Sequence, residues 1–120
     1  MIYVIDDDES VRRALQRLLR SAALDVKAFS SAREFLGSGN LGERACIVLD
    51  IQMRGITGFD LQEELVSKGI RTPVIAVSAF DDAKTRERAR ELGATAFFRK
   101  PVDGEALIDA IHWAMGRAKN

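Results

Sequence analysis

Several residue types that define other classes of protein are scarce in this chain of 120 residues. It has one cysteine, so no disulfide can form within it, and one histidine, so no histidine-based metal site is expected. Lysine and arginine together number 18, as do aspartate and glutamate, so the chain lacks the net positive charge typical of nucleic-acid-binding domains. We therefore expect that residues 1–120 do not themselves bind nucleic acid.

Long apolar segments are also missing. The amino terminus is apolar only over residues 1–5, and three consecutive aspartates follow. This run is too short for a secretory signal or a membrane-spanning segment. The sequence favours a cytoplasmic protein without membrane contact, and its length matches a single domain covering residues 1–120.

The chain does contain a regular alternation of short apolar runs and helical patterns. The apolar runs predict strands over residues 2–5, 26–29, 45–49, 74–77 and 95–98. Between them, apolar residues recur at spacings of three and four, as in Val11, Leu15, Leu18 and Leu19. Continuous apolar strands separated by helices indicate an α/β fold whose five-stranded parallel sheet is covered on both faces.

Polar residues follow four of the predicted strands. Acidic residues 6–9 follow the first strand, Asp50 the third, Ser78 the fourth and Lys100 the fifth. The carboxyl ends of parallel strands share one edge of the sheet, where ligands bind in open α/β folds. Two carboxylates about 4 Å apart repel by about 4 kcal/mol at an effective dielectric constant near 20. A divalent cation would offset this repulsion, and oxygen ligands without histidine or cysteine favour Mg²⁺ or Mn²⁺.

Each of these residues also has an ordinary structural explanation. Asp8 or Ser78 can cap a helix, and an isolated lysine such as Lys100 usually lies on the surface. Acids, a hydroxyl and an ammonium at four strand ends are poorly explained one by one. The set as a whole therefore favours a functional site.

Six short segments carry a resemblance to a known family. They are residues 4–8, 48–53, Gly58, residues 77–79, 93–94 and 100–101. In their order and spacing the chain resembles the receiver domain of two-component response regulators over essentially its whole length. The resemblance implies a doubly wound, flavodoxin-like (βα)5 sheet with strand order 2-1-3-4-5. It also implies a cis peptide bond between Lys100 and Pro101.

The resemblance further implies a phosphorylated signalling switch rather than an enzyme with turnover. Asp50 would accept a phosphoryl group from a sensor histidine kinase or a small acyl phosphate. Ser78 and Lys100 would contact the phosphoryl oxygens. A carboxylate nucleophile and a lysine charge suit this chemistry, in which the protein mainly positions groups and neutralises charge.

A metal site is implied at the same place. Mg²⁺ would be held by Asp7 directly, by Asp6 through water, by Asp50, and by the backbone carbonyl of Gln52. Mn²⁺ is the alternative ion.

A conformational switch is implied at Phe97, three residues before Lys100. Ser78 would move toward the phosphoryl group, and Phe97 would turn into the vacated space; the alternative is that Phe97 is an ordinary core residue. The surface formed by the fourth helix, fifth strand and fifth helix would change as a result. Few apolar residues (Ala83, Ala89 and Leu92) support the fourth helix, which predicts weak attachment.

One position departs from the family pattern. Arg54 follows Met53 where the family usually has proline. It is either a solvated loop residue, a partner contact or an influence on the lifetime of the acyl phosphate. Gln52 and Phe80 also fall where the family tunes that lifetime.

The sequence leaves the larger context open. A DNA-binding output domain beyond Asn120 and a free-standing receiver are both compatible with it. We expect a monomer, with dimerisation on phosphorylation as the alternative.

Three other functions would use parts of the same sequence pattern. A phosphatase of the haloacid dehalogenase type would use Asp6 as nucleophile and Asp8 as acid/base. It needs a later pair of metal-binding acids, which the chain does not offer, and it gives Asp50 no role. An FMN carrier is disfavoured because acids after the first strand would repel phosphate. A pure interaction module requires that no metal binds.

Overall fold

The structure is a computed structural model that describes residues 1–39, 41, 44–53, 55–80 and 82–118. Strands and helices alternate along this described chain, as predicted. The strands are β1 (Ile2–Ile5), β2 (Val26–Phe29), β3 (Cys46–Asp50), β4 (Val74–Ser78) and β5 (Ala94–Arg99). The helices are α1 (Glu9–Ser21), α2 (Ala32–Leu36), α3 (Gly58–Ser67), α4 (Ala83–Glu91) and α5 (Gly104–Ala118).

The five strands form one parallel sheet in the order β2-β1-β3-β4-β5, which confirms the predicted fold class and strand order. Ile5 pairs with Phe29 on one side and with Leu49 on the other, so β1 and β3 end at the same level. The residues that come next, Asp6 and Asp50, are therefore brought side by side at the carboxyl edge.

Some strand boundaries differ from the predicted ones. β3 begins at Cys46 rather than Ala45 and includes Asp50, and β4 includes Ser78. The ladder continues past the apolar residues, because the Ile51 N–H donates to the Val77 carbonyl (2.9 Å) and the Lys100 N–H to the Ser78 carbonyl (2.8 Å). A polar side chain does not end a strand whose backbone still has partners.

The core occupies both faces of the sheet. One face packs against α1 and α5, and its buried residues include Val4, Leu19, Val48, Ile75, Leu107 and Ile111. The other face packs against α2 and α3, and its buried residues include Tyr3, Phe29, Phe35, Leu49, Leu61 and Leu65. Cys46 is a fully buried core residue, and burial raises the pKa of its thiol to about 12. Among the described helices, none combines the length and apolarity that crossing a bilayer requires.

Helices α4 and α5 are anchored very differently. α5 buries Leu107, Ile111 and Ala114, whereas α4 buries only Ala89. Ala83, an expected support of α4, is exposed. The weak apolar attachment predicted for α4 is therefore even more pronounced than the sequence indicated.

Candidate functional site

Three carboxylates meet at the carboxyl edge of the sheet. One oxygen each from Asp6, Asp7 and Asp50, here called the acidic cluster, lies within 4.8 Å of the other two. Asp6 and Asp50 are both only 2% exposed, whereas Asp7 is exposed. The cluster thus consists of two buried acids and one that opens toward solvent.

Lys100 brings the opposite charge to this cluster. Its Nζ lies 2.9 Å from Asp6 Oδ2 and 3.4 Å from Asp50 Oδ2. The peptide bond that follows, Lys100-Pro101, is cis, which confirms that prediction. The sequence-based expectation that Lys100 and the acids converge agrees with this geometry.

The local environment raises the pKa of Asp50. Burial, reinforced by the charge of Asp6, raises the pKa of the Asp50 carboxyl from 3.8 to about 7, although Lys100 and the Gln52 N–H act in the opposite direction. Partial burial alone would lower the pKa of Lys100, but its contacts with Asp6 and Asp50 together raise it. Near neutral pH, Lys100 therefore carries a positive charge, and the Asp50 carboxyl group beside it titrates.

Asp8 lies next to the cluster in sequence but has a different role. Its Oδ1 accepts hydrogen bonds from the backbone N–H groups of Ser10 (2.8 Å) and Val11 (3.2 Å), so it caps α1. Its own N–H donates to Asp6 Oδ1 (2.9 Å) and helps to orient that acid. The ordinary explanation of Asp8 as a helix cap is thus confirmed.

Gly58 allows α3 to begin directly against the end of β3. A Cβ at this position would lie 2.6 Å from both the Asp50 carbonyl oxygen and Ile51 Cα. Such distances are too short for any side chain, so the glycine is required by this close approach rather than by a turn. Gly58 belongs to the family pattern in the sequence, but nothing in the sequence indicates this close approach.

Ser78 is fully buried, and its partner is not one of the acids. Its Oγ donates to Gln52 Oε1 at 2.6 Å, and the Ala79 N–H reaches the same oxygen at 3.3 Å. The family pattern implied a backbone role for Gln52 and an influence on the lifetime of the acyl phosphate, but not this contact between its side chain and Ser78. The only signal was its position two residues after Asp50.

Phe97 is half-buried and packs against the small cluster of Ile51, Ala76 and Ala89. The guanidinium carbon of Arg86 lies 5.5 Å from the centroid of the Phe97 ring. The ring also borders a groove of about 360 Å³ between α4 and β5. Phe97 therefore lies at the edge of the core, and its proposed movement stays a prediction.

A cleft gives access to the acidic cluster from solvent. It measures about 480 Å³ and is lined by Asp7, Ile51, Gln52, Met53, Thr57 and Phe59. Arg54, singled out in the sequence, lies outside the described residues.

The donor set is suited to a small divalent cation. Two oxygens bound to one Mg²⁺ at about 2.1 Å are at most about 4.2 Å apart. The oxygens of Asp7 and Asp50, the two acids expected to bind the ion directly, lie within 4.8 Å of each other and need only a small contraction to meet this limit. All three acids offer carboxylate oxygens, the type of donor that Mg²⁺ and Mn²⁺ prefer.

The chain is similar in sequence to known proteins of one family. A family model described as the response regulator receiver domain matches residues 2–112. The transcriptional regulatory proteins TdiR of Thauera aromatica and FixJ of Azorhizobium caulinodans are 39% and 40% identical over 95% and 98% of this chain. The alignments cover 50% and 56% of those proteins, so the chain spans about half the length of the curated relatives it matches.

Solved structures agree with the fold. The low-resolution structure of the response regulator StyR superposes with a TM-score of 0.91 at 37% identity, covering 98% of this chain and 60% of that one. The crystal structure of FixJ-N gives 0.88 at 29% identity, covering 96% and 92%. With a family match over most of its length and the same fold, the chain belongs to the response regulator receiver domain family.

Proposed function

We propose that this domain is a phosphorylation-dependent signalling switch in which Asp50 accepts a phosphoryl group from a sensor histidine kinase. The observation that carries the proposal is the position of Asp50. Its carboxylate is buried at the end of β3, beside Asp6, and its Oδ2 lies 3.4 Å from Lys100 Nζ. A nucleophile with a fixed cation at its side is suited to attack a charged phosphorus centre.

The transfer would proceed in one displacement. An Asp50 carboxylate oxygen forms a bond to phosphorus while the bond from phosphorus to the donor's imidazole nitrogen breaks. The bonding electrons stay on that nitrogen, which takes up a proton, and the product is an acyl phosphate. Lys100 would neutralise charge on the phosphoryl oxygens as a point charge.

The metal would be held by Asp7 and Asp50 directly, by Asp6 through water, and by the backbone carbonyl of Gln52. Bound there, Mg²⁺ or Mn²⁺ would supply positive charge against the carboxylates and the incoming phosphoryl group. Asp6 and Asp50 already share Lys100 at 2.9 and 3.4 Å, so part of their repulsion is offset by the chain itself.

Phosphorylation would be read through Ser78 and Phe97. Because α4 buries only Ala89, it can move at little cost, and the surface that it forms with β5 would then change. Several relatives are named transcriptional regulatory proteins and are about twice as long as this chain. We therefore include a cytoplasmic DNA-binding output domain beyond Asn120 in the proposal, with a monomeric receiver that can dimerise when phosphorylated.

Intact-mass analysis with acetyl phosphate and Mg²⁺ tests the acceptor. We expect a single phosphoryl adduct on the wild-type domain and none on Asp50→Asn. Asp8→Asn is the matched control, because it makes the same change at an acid whose side chain caps α1. An adduct of undiminished yield on Asp50→Asn, or its loss from Asp8→Asn alone, would overturn the assignment.

A further inference from the structure

The side chain of Gln52 connects the end of β3 to the end of β4. Its backbone N–H donates to Asp50 Oδ1 at 3.1 Å. Its side-chain Oε1 accepts from Ser78 Oγ at 2.6 Å and from the Ala79 N–H at 3.3 Å. One residue therefore contacts both the proposed phosphoacceptor and the hydroxyl proposed to respond to it.

The direction of these hydrogen bonds follows from the chemistry of the donors. A backbone N–H such as that of Ala79 can only donate, so the amide atom that faces it must be the oxygen. The Ser78 hydroxyl has one proton, and its oxygen already accepts from the Phe80 N–H at 3.0 Å. The single Ser78 proton is therefore directed at Gln52.

Two donors that converge on one oxygen form the arrangement that binds an oxyanion. In this structure, the oxygen at that point is Gln52 Oε1. A phosphoryl oxygen carried by Asp50, on the strand next to Ser78, would need the same proton. The Ser78 hydroxyl can serve only one of them at a time.

We propose that Gln52 is an internal competitor of the phosphoryl group for Ser78. It holds the Ser78 hydroxyl in the unmodified domain and so opposes the switched conformation. Gln52 is thus a positioning residue that acts through Ser78. The inference rests on the proposed function, because it needs a phosphoryl group on Asp50.

The size of the effect can be stated in advance. A hydrogen bond between neutral groups shifts an equilibrium by about twofold to twelvefold. The bond from Ser78 is short and its donor is buried, whereas the bond from Ala79 is long. Loss of the competing oxygen should therefore favour occupation of the phosphoryl position by about threefold to tenfold.

Beryllofluoride with Mg²⁺ is the appropriate probe, because it occupies the phosphoryl position without being hydrolysed. The affinity of the domain for beryllofluoride measures how favourable occupation of the phosphoryl position is, and it does not depend on the lifetime of an acyl phosphate. Gln52→Met keeps the length and shape of the side chain but removes the acceptor oxygen. Gln52→Ala provides a second variant without that oxygen and without the apolar bulk.

We expect both Gln52 variants to bind beryllofluoride about threefold to tenfold more tightly than the wild-type domain. In a Ser78→Ala background, the gain should fall below about twofold, since only the Ala79 bond remains. Without the probe, the amide NMR signals of Ala79 and Phe80 should shift in Gln52→Met. The Ala79 N–H loses its acceptor, and the Ser78 hydroxyl that accepts from the Phe80 N–H is released.

The possible failures are distinguishable. If the wild-type domain does not bind beryllofluoride, the proposed function fails and this inference falls with it. If the wild-type domain binds and the Gln52 variants bind equally or more weakly, competition by Gln52 is wrong while the proposed function stands. An equal gain with and without Ser78 also overturns the inference, because Gln52 would then act elsewhere.

Discussion

The bodies of the central strands and their carboxyl ends have opposite energetic roles. Every residue of β1, β3 and β4 is buried, and all residues before the ends of these strands are apolar. The ends carry Asp6, Asp50 and Ser78, which are buried to the same degree although they are polar. Burial of the strand bodies stabilises the fold, whereas the raised pKa of Asp50 shows that its charged form is destabilised. A stable core thus holds charges in positions that they would not adopt by themselves.

The largest effect is expected from a cavity in a strand body. Ile75→Ala removes most of a fully buried side chain in the centre of β4 and should lower the free energy of unfolding by about 2–5 kcal/mol. The loss should be independent of pH, because no charge is involved. Urea unfolding at pH 5 and pH 8 measures it. Val66→Ala, at a position 60% exposed, is the control and should change stability little.

A methyl group added where the strand end meets α3 should have the next largest effect. Gly58→Ala places a Cβ 2.6 Å from the backbone of Asp50 and Ile51. We expect a loss of about 1–3 kcal/mol and slower phosphorylation, because the carboxylate is displaced.

Gly116→Ala is the matched control for this effect. It makes the same change in α5, where an added Cβ would meet nothing within 4 Å. Since alanine favours a helix, Gly116→Ala should be neutral or stabilising by up to about 1 kcal/mol. Equal effects of the two substitutions in denaturant unfolding would contradict the account of Gly58.

The smallest effect is expected at Asp50, where a substitution should stabilise the fold rather than destabilise it, by an amount that depends on pH. The pKa of Asp50 is raised from 3.8 to about 7 by folding, so the folded domain binds more protons than the unfolded chain between these values. Its stability should therefore decrease as pH rises from about 4 to about 7. Asp50→Asn imitates the protonated form and should escape this loss.

The increase in the free energy of unfolding caused by Asp50→Asn should be smaller at pH 5 than at pH 8. A displacement of about three pKa units corresponds to about 4 kcal/mol. Because the cluster is open to solvent beside Asp7, we expect only about 1–2 kcal/mol at pH 8. Unfolding experiments in EDTA, with Asp8→Asn as the control, test this. A gain that is constant across this pH range would contradict a raised pKa.

Much of the site could be predicted because it depends on topology. In a parallel sheet, residues that follow the strands must meet at one edge, whatever their rotamers. Asp6, Asp7, Asp50 and Lys100 could be located in this way, and the structure brings them together.

Two features of the site could not be predicted, because they depend on individual distances between side chains and backbone. The reach of Gln52 to Ser78 is a matter of one side-chain conformation, and the need for Gly58 follows from a 2.6 Å approach of two backbone segments. Neither has a periodic signal. The degree to which Asp50 is buried likewise depends on how the complete fold packs around it.

The weak apolar anchoring of α4 has a consequence for the divergence of such proteins. Apart from Ala89, this helix is held by polar contacts such as that of Gln62 Nε2 with the Ala89 carbonyl (3.0 Å) and that of Arg88 with Glu63 (2.6 Å). Most of its exposed positions can therefore be exchanged without removing a core side chain. Substitutions on the surface of α4 can therefore change which partner binds there while the acidic cluster remains unchanged. Partner recognition and the chemistry of the acidic cluster can evolve independently.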